Sequence, residues 1–395
     1  MPLGLYISVP FCRTKCTYCN FASDVFSRAV FEKYITRVCA ELAAAPETAR
    51  QMGSLFEASA DSIYFGGGTP TLLDVTQLER LFVSIRQNFE LSRDAEITVE
   101  CAPGTLLPEK IGTLARCGVN RVSLGVQSFV DREAASVGRL HKRDVVLDDI
   151  AHLREAGISN INVDLIAGLP HQTRQSWAQS LEELIATGVP HASVYMLEVD
   201  EDSRLGRELI AGGQKYHAHF VPDEDLTADF YEIACERLNT AGIEQYEISN
   251  FARAGFESRH NLKYWTRQPY LGFGVDAHSM LRAARGEGAV RFSTLDALDS
   301  YLSSTKYEES SVSPEAALQE ECFLGLRLNR GIDLAELAAR YGRDVLAAFR
   351  CDISELISDG LLRQCDDLIQ LTPRGRLLSN EVFERFVTAG SKAGI

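Results

Sequence analysis

The sequence alternates short β-strand patterns with helical patterns, and this alternation constrains the fold more than any other feature. Runs rich in β-branched and aromatic residues recur six times before residue 200, separated by amphipathic segments such as Thr76–Asn88 and Trp177–Thr187. Strands linked by helical crossovers pair in parallel. The predicted strands are Leu5–Val9, Ser62–Phe65, Glu96–Glu100, Arg121–Val126, Asn160–Ile166 and Ala192–Leu197.

Six β/α units are fewer than the eight that close a full barrel of this kind. We therefore predict an α/β fold with a partial (β/α)6 barrel, spanning residues 1–200. Several strands carry few polar positions, which is typical of a sheet covered on both faces. A barrel that does not close leaves a lateral opening through which a large substrate can enter.

The pattern changes after residue 200. Residues 201–312 are predicted to form a mixed α+β region, with a helix near Leu226–Thr240 and a strand at Gln245–Ser249. Residues 313–395 show a helix–helix–strand–turn–strand order that resembles a winged-helix module. We interpret this module as a structural cap rather than a DNA-binding unit.

Charge and hydropathy restrict the partners and the compartment. The chain has 40 Lys and Arg residues against 55 Asp and Glu residues, a formal net charge of −15. Phosphate binding is supplied mostly by Lys and Arg, so nucleic acid is not expected as the main partner. The sequence shows no signal-peptide pattern and no apolar run long enough for a membrane span, so we expect a cytoplasmic protein.

The cysteines Cys12, Cys16 and Cys19 follow the first predicted strand with the spacing C-x3-C-x2-C. A structural zinc site would need a fourth ligand, and a redox C-x-x-C pair would leave Cys12 unexplained. Three thiolates on one tight loop suit a cubane iron–sulfur cluster that keeps one iron open. The other cysteines are scattered and are expected to be small buried apolar residues: Cys39, Cys101, Cys117, Cys235, Cys322, Cys351 and Cys365.

Polar or glycine-rich positions follow the later strands of the predicted barrel. The second strand runs into Gly66–Pro70, and adjacent glycines let the backbone approach a ligand closely. Glu100 ends the third strand, Gln127 follows the fourth and Asp164 lies on the fifth. Barrel enzymes keep their sites at this end of the strands, so these groups are expected to share a pocket.

The cysteine motif after a first β/α-barrel strand resembles the radical S-adenosylmethionine (SAM) superfamily. In that superfamily the cysteines bind a [4Fe-4S] cluster, whose open iron chelates SAM, and a glycine turn binds the SAM amino group. The resemblance thus implies a radical-SAM barrel with cluster ligands Cys12, Cys16 and Cys19. Position by position, it implies a SAM site formed by Tyr6, Tyr18, Gly67, Gly68, Thr69, Glu100, Gln127, Arg139 and Asp164.

Within this superfamily the chain resembles the oxygen-independent coproporphyrinogen III oxidase family, and more closely its HemW-type heme chaperones. The stretches that carry the resemblance are YISVPFCRTKCTYC, FGGGTPT, RVSLGVQSF, GRLH, DLIAGLP and YEISNFA. The oxidases carry one further cysteine where this chain has Phe21, and an N-terminal extension ahead of the first strand. Residues 260–265, HNLKYW, match the H-N-x-x-Y-W signature of the chaperone branch.

The resemblance implies heme binding at this signature, through His260, Asn261, Tyr264 and Trp265, with His278 as a competing iron ligand. An imidazole suits heme iron, and aromatic rings suit the macrocycle. Three functions stay open: a heme chaperone, an oxidase that decarboxylates coproporphyrinogen III, and a structural zinc protein. The heme-chaperone interpretation implies three partners: heme, a respiratory heme-acceptor protein and a reductant for the cluster. It also implies transient contact with a membrane protein and assembly as a homodimer.

Overall fold

The computed structural model of the protein describes residues 1–285, 288–342 and 347–392. Six parallel strands follow one another in the sheet in chain order, each adjacent pair joined through helices on the outer face. The strands are β1 (Leu3–Val9), β2 (Ser59–Gly67), β3 (Glu90–Cys101), β4 (Arg121–Gln127), β5 (Asn160–Ala167) and β6 (His191–Met196). The helices are α1 (Arg28–Gln51), α2 (Val75–Asn88), α3 (Pro108–Arg116), α4 (Asp131–Ser136), α5 (Arg143–Glu155) and α6 (Arg174–Thr187). This confirms the predicted α/β fold with its (β/α)6 partial barrel.

Side chains alternate across the barrel wall. On β2, Ile63 and Phe65 face outward into the main apolar core, and Phe65 packs against Phe82 of α2 with ring centroids 4.8 Å apart. Tyr64, between them, points inward, where its hydroxyl donates to Glu100. The barrel interior is therefore more polar than the predicted strands suggested.

Residues 200–312 extend the barrel sheet at both edges. Strands β8 and β7 continue it beyond β6, and β9 pairs in parallel with β1 before β10, β11 and β12 follow antiparallel. The elements of this region are α7 (Arg204–Ala211), α8 (Glu224–Thr240), β7 (Glu244–Gln245), β8 (Asn250–Ala252), α9 (Arg259–Trp265), β9 (Tyr270–Phe273), β10 (His278–Arg282), β11 (Ala289–Thr294), α10 (Leu298–Ser303) and β12 (Tyr307–Val312).

The strand predicted at residues 245–249 is wrong in its position. Residues 246–249 form the tight connection between β7 and β8, and Glu247 is completely buried there. Glu247 accepts hydrogen bonds from its own turn and from Arg327. A buried carboxylate needs such partners, and the turn and Arg327 supply them.

The C-terminal region has a second apolar core and a small antiparallel sheet in the order β13–β15–β14. This arrangement of helices before a β-hairpin agrees with the predicted winged-helix-like module. Its elements are α11 (Pro314–Arg327), β13 (Ile332–Asp333), α12 (Leu334–Tyr341), α13 (Arg350–Ser358), β14 (Leu362–Cys365), β15 (Leu368–Leu371), α14 (Pro373–Leu377) and α15 (Ser379–Lys392). In these three ranges, no helix combines the length and the apolarity that a membrane span requires.

Candidate cofactor site and aromatic cleft

The cysteine loop leaves the carboxyl end of β1 and is held by its backbone. The Cys12 amide donates to the Asp24 carbonyl at 3.0 Å, and the Thr17 amide donates to the Val137 carbonyl at 3.2 Å. Ahead of the first cysteine, the buried ring of Phe11 stacks on Phe31 of α1 with centroids 3.7 Å apart. Apolar packing and backbone hydrogen bonds therefore set the course of the loop.

The thiols of Cys12, Cys16 and Cys19 are free and partly exposed. Burial raises the pKa of Cys12 above its usual value, and a hydrogen bond from Ser23 opposes the rise. In the described parts of the chain, no group of three or more His, Cys, Asp or Glu side chains lies close enough to hold a single metal ion. A cubane cluster binds each thiolate through a different iron, so it requires the sulfurs to surround a space rather than to meet at one point.

The glycine turn after β2 lies against the cysteine loop. The Gly68 and Thr69 amides donate to the carbonyls of Val9 and Phe11, both at 2.8 Å. A Cβ on Gly68 would lie 2.8 Å from both carbonyl oxygens, which is too close for any side chain. Gly67 has a φ of +100°, the left-handed conformation that glycine adopts without strain. The turn therefore needs glycine both for its own path and for contact with the loop.

Glu100 lies at the carboxyl end of β3 beside the glycine turn. It accepts a hydrogen bond of 2.8 Å from the Tyr64 hydroxyl and another from the Gly67 amide. Burial raises the pKa of Glu100 to about 7, the hydrogen bond from Tyr64 opposes the rise, and the nearby charge of Asp164 adds to it. A carboxylate with such a pKa in a pocket is typical of a functional site.

Asp164 on β5 is a second buried carboxyl group in the barrel interior. It accepts hydrogen bonds from Ser123 at 3.0 Å and from Asn162 at 2.7 Å. Burial raises its pKa, and the hydrogen bonds of its neighbours oppose the rise. The structure therefore brings Glu100 and Asp164 into one polar interior, as the strand positions predicted.

Arg139 connects this interior to the cysteine loop. Its guanidinium donates to the Tyr18 hydroxyl at 3.2 Å, while its buried Nε has no hydrogen-bond partner in the protein. An unpaired buried donor is costly, and an anionic or carbonyl oxygen of a ligand would satisfy it.

Gln127, which follows a register shift between β4 and β5, has a φ of +69°, a strained conformation for a non-glycine residue. Both features fit a polar ligand at this end of the barrel.

A cleft of about 310 Å³ joins the cysteine loop, the glycine turn and the HNLKYW segment. Phe21, which is 63% exposed, borders it together with the loop residue Ala22. The remaining lining residues are Tyr6, Ser8, Gly67, Tyr264, Tyr270, Asp276 and His278. Four of these nine residues are Phe or Tyr, so the cleft combines aromatic surface with one imidazole and one carboxyl group.

Helix α9 carries the HNLKYW segment into the barrel interior. The carboxylate of Glu96 on β3 accepts hydrogen bonds from the Arg259 and His260 amides at 3.1 and 3.0 Å, which satisfies the free N–H groups at the start of the helix. The His260 side chain is 1% exposed. Its Nδ1 lies 3.0 Å from the Ser62 hydroxyl and its Nε2 lies 2.8 Å from the Tyr264 hydroxyl.

The electrostatic environment keeps His260 neutral. Burial lowers the pKa of His260 to about 3, and the charge of Lys263 adds to the effect. Lys263 itself forms an ion pair of 2.7 Å with Asp61. Of the two histidines considered as heme ligands, His278 is the accessible one, with 69% of its side chain exposed.

Trp265 and Asn261 lie away from the cleft lining. The guanidinium of Arg327, from the C-terminal module, lies 4.3 Å from the Trp265 ring centroid. The same Arg327 forms an ion pair of 2.7 Å with the buried Glu247. The backbone N–H of Asn261 donates to the hydroxyl of Ser258, which caps the start of α9. Trp265 therefore links α9 to α11, a contact that sequence reasoning did not foresee.

Tyr64 is the main site residue that sequence reasoning missed. It donates to Glu100 and its ring stacks on His260 with centroids 5.3 Å apart. The sequence does contain a signal for Tyr64. It lies two positions before Gly66, and because strand side chains alternate with a period of two, it shares the face of Gly66. An inward-facing tyrosine beside the glycine turn follows from that period.

The partial barrel, the cysteine loop after β1 and the glycine turn after β2 define a protein of the radical SAM class. The family model of the Radical SAM superfamily matches residues 6–184, and that of the HemN C-terminal domain matches residues 312–378. The solved structure of coproporphyrinogen III oxidase (HemN) from Escherichia coli superposes with a TM-score of 0.83 at 24% identity, over 98% of this chain and 90% of that one. This similarity shows the shared fold.

Full-length relatives narrow the class to one family. Heme chaperone HemW of Bacillus subtilis is 36% identical over 97% of this chain and 98% of its own length. The proteins of the same name from Lactococcus lactis and Escherichia coli are 33% and 31% identical, each over at least 97% of both chains. The chain belongs to the HemW family, as the sequence motifs predicted.

Proposed function

We propose that this protein is a heme chaperone, which holds a [4Fe-4S] cluster and SAM at the carboxyl end of the barrel and binds heme in the aromatic cleft for delivery to an acceptor protein. The cleft is the observation that carries the proposal. It runs from Phe21 and Gly67, beside the predicted cofactor site, to Tyr264 of the HNLKYW segment. The family relatives named as heme chaperones support the same function.

Cys12, Cys16 and Cys19 would hold the cluster. Their donor set fits, since three soft thiolates lie on one loop whose backbone is already ordered. When bound and reduced, the cluster supplies one-electron chemistry toward SAM, which belongs to the cofactors rather than to the protein. The protein holds the loop in place and keeps the thiols partly shielded from water.

Gly67, Glu100, Arg139 and Asp164 would hold SAM, with Tyr6, Tyr18, Gly68, Thr69 and Gln127 completing the predicted site. The exposed backbone at Gly67 and the carboxylate oxygens suit the ammonium and hydroxyl groups of SAM, which are hydrogen-bond donors. The unpaired Nε of Arg139 suits an acceptor oxygen. Glu100 accepts more strongly from the ammonium group of SAM when it is ionised, and its pKa of about 7 makes the ionised form increase through neutral pH.

The cleft supplies flat aromatic surface for a macrocycle through Phe21, Tyr6 and Tyr270. Phe21 takes the place of the additional cysteine of the porphyrinogen oxidases, so it gives the cleft apolar surface at the cofactor site.

The proposal also includes a respiratory heme protein as acceptor, a reductant for the cluster, transient contact with a membrane protein and a homodimer.

The test uses full-length protein reconstituted anaerobically with iron and sulfide. We expect hemin to bind with a shifted Soret band and to pass to an added apo-heme protein. Incubation with coproporphyrinogen III, SAM and a reductant should give no protoporphyrinogen. Product formation at a useful rate would instead support an oxidase, and zinc without sulfide would overturn both radical-SAM functions.

A matched variant separates the cluster site from the heme-binding cleft. Replacement of Cys12, Cys16 and Cys19 by Ala should abolish iron and sulfide incorporation. Hemin binding should persist, because the aromatic cleft is lined by none of the three cysteines. Loss of hemin binding together with the cluster would contradict the separation of sites.

A further inference from the structure

We infer that Tyr264, rather than His260, is the residue of the HNLKYW segment that ligates heme iron, and that His260 positions it through a hydrogen bond. This inference rests on the proposed heme binding and assigns the ligand at that site. It is carried by the contacts of the two side chains and by the cleft that Tyr264 lines.

His260 offers heme no free nitrogen. Nδ1 is bonded to Ser62 and Nε2 to Tyr264, at 3.0 and 2.8 Å. One ring face stacks on Tyr64 with centroids 5.3 Å apart, and Cε1 lies 3.3 Å from where a Cβ on Gly4 would stand. An iron could reach Nε2 only if the Tyr264 hydroxyl moved away.

Tyr264, in contrast, is half-buried and forms part of the cleft wall. Its phenolic oxygen uses one hydrogen-bonding position on His260, so the oxygen keeps further lone-pair capacity. A tyrosine phenolate is an established kind of axial ligand for heme iron. Tyr264 therefore combines a place in the cleft wall with a side-chain type that can ligate iron.

The other phenols of the cleft lack an imidazole partner. The Tyr270 hydroxyl interacts with Arg291, and Tyr6 interacts with Ser8. Tyr264 has a neutral imidazole fixed on its oxygen, and Ser62 can either donate to Nδ1 or accept from it. The ring can therefore accept from the phenol or, in its other tautomer, donate Nε2–H to the phenolate.

The ligation step balances without an added redox partner. The Tyr264 O–H bond breaks, the oxygen forms a bond to ferric iron and replaces a bound water, and one proton and one water pass to solvent. Iron stays ferric throughout. His260 then donates Nε2–H to the phenolate, with Ser62 donating to Nδ1, and a hydrogen bond to a charged oxygen is stronger than one to a neutral phenol.

The test compares hemin-loaded full-length variants by absorption and resonance Raman spectroscopy. We expect wild-type protein to show phenolate–iron vibrations, and Tyr264→Phe to lose them with at least roughly tenfold weaker hemin affinity. His260→Ala should keep a phenolate ligand with shifted vibrations and weaker affinity, and His260→Gln should restore part of the loss. Tyr307→Phe, on strand β12 and outside the cleft lining, is the matched control and should leave the spectrum unchanged.

The outcomes separate the ligand from the function. Hemin binding with an imidazole signature that disappears in His260→Ala or in His278→Ala, and stays in Tyr264→Phe, would overturn this inference and leave the proposed function standing. Absence of hemin binding by the wild-type protein would overturn both. Thermal unfolding of each variant shows whether the cleft is still folded when its spectrum changes.

Discussion

Replacement of Glu100 by Gln should make the pH dependence of stability measurably different from that of the wild-type protein. Burial raises the pKa of Glu100 from 4.5 to about 7. Between these pH values the folded state binds more protons than the unfolded state, so Glu100 lowers stability as pH rises. Below pH 4.5 the carboxyl is protonated in both states and contributes no pH dependence. A glutamine has no such titration.

The size of the effect follows from the difference between the two pKa values. A rise of that size corresponds to about 3 kcal/mol, at about 1.4 kcal/mol for each pKa unit. Glu100 is only partly buried, and solvent screening reduces this figure. We therefore expect the free energy of unfolding of Glu100→Gln, minus that of the wild type, to rise by about 2 kcal/mol between pH 4.5 and pH 8.

Urea unfolding of cluster-free protein, followed by tryptophan fluorescence, measures this difference at each pH. Trp177 is fully buried in the barrel, so its emission reports on the barrel itself. Glu309→Gln, at an exposed position on the edge strand β12, is the control and should follow the wild type at every pH. A Glu100→Gln difference that stays constant within about 0.5 kcal/mol over this range would refute the reasoning.

Three further predictions concern the loop, the module contact and the SAM site. Gly68→Ala should destabilise the protein by about 2 kcal/mol, because its Cβ would stand 2.8 Å from two carbonyl oxygens. It should also lower the iron and sulfide content after reconstitution. Gly112→Ala, on α3, is the control and should change neither the stability nor the iron and sulfide content. Arg327→Met should cost about 3 kcal/mol in a urea titration, since it leaves Glu247 buried without its ion pair, and Glu247→Gln in the same chain should recover part of it. Arg139→Gln should weaken SAM binding roughly tenfold by calorimetry and leave hemin binding intact; equal loss of both ligands would contradict separate sites.

Much of the barrel was predictable because its signals are local. Strand and helix periodicity repeat within about 40 residues, and parallel connections have few allowed arrangements. The cysteine loop and the glycine turn are contiguous in sequence, so their chemistry could be assigned before any contact was known. The three-part division at residues 200 and 312 stays a prediction.

The extension of the sheet was less predictable. Strand β9 pairs with β1 although more than 250 residues separate the two strands, and β10, β11 and β12 follow beyond β9. The short runs of these strands carry no signal for that arrangement. The turn at residues 246–249 was mistaken for a strand because its apolar alternation is the same. Only the structure shows that Glu247 lies buried in this turn with Arg327 as its partner.

The sequence by itself determined the family, the cysteine loop as the predicted cluster site, and the presence of a signature that combines His, Tyr and Trp. Only the tertiary structure decided what each signature residue faces: Ser62 and Tyr264 enclose His260, Arg327 covers Trp265, and Tyr264 borders the cleft. The physical reason is that a motif specifies which groups are near in the chain, whereas burial and hydrogen-bond partners come from strands and helices that are distant in sequence. Whether an imidazole can bind iron depends on those distant partners.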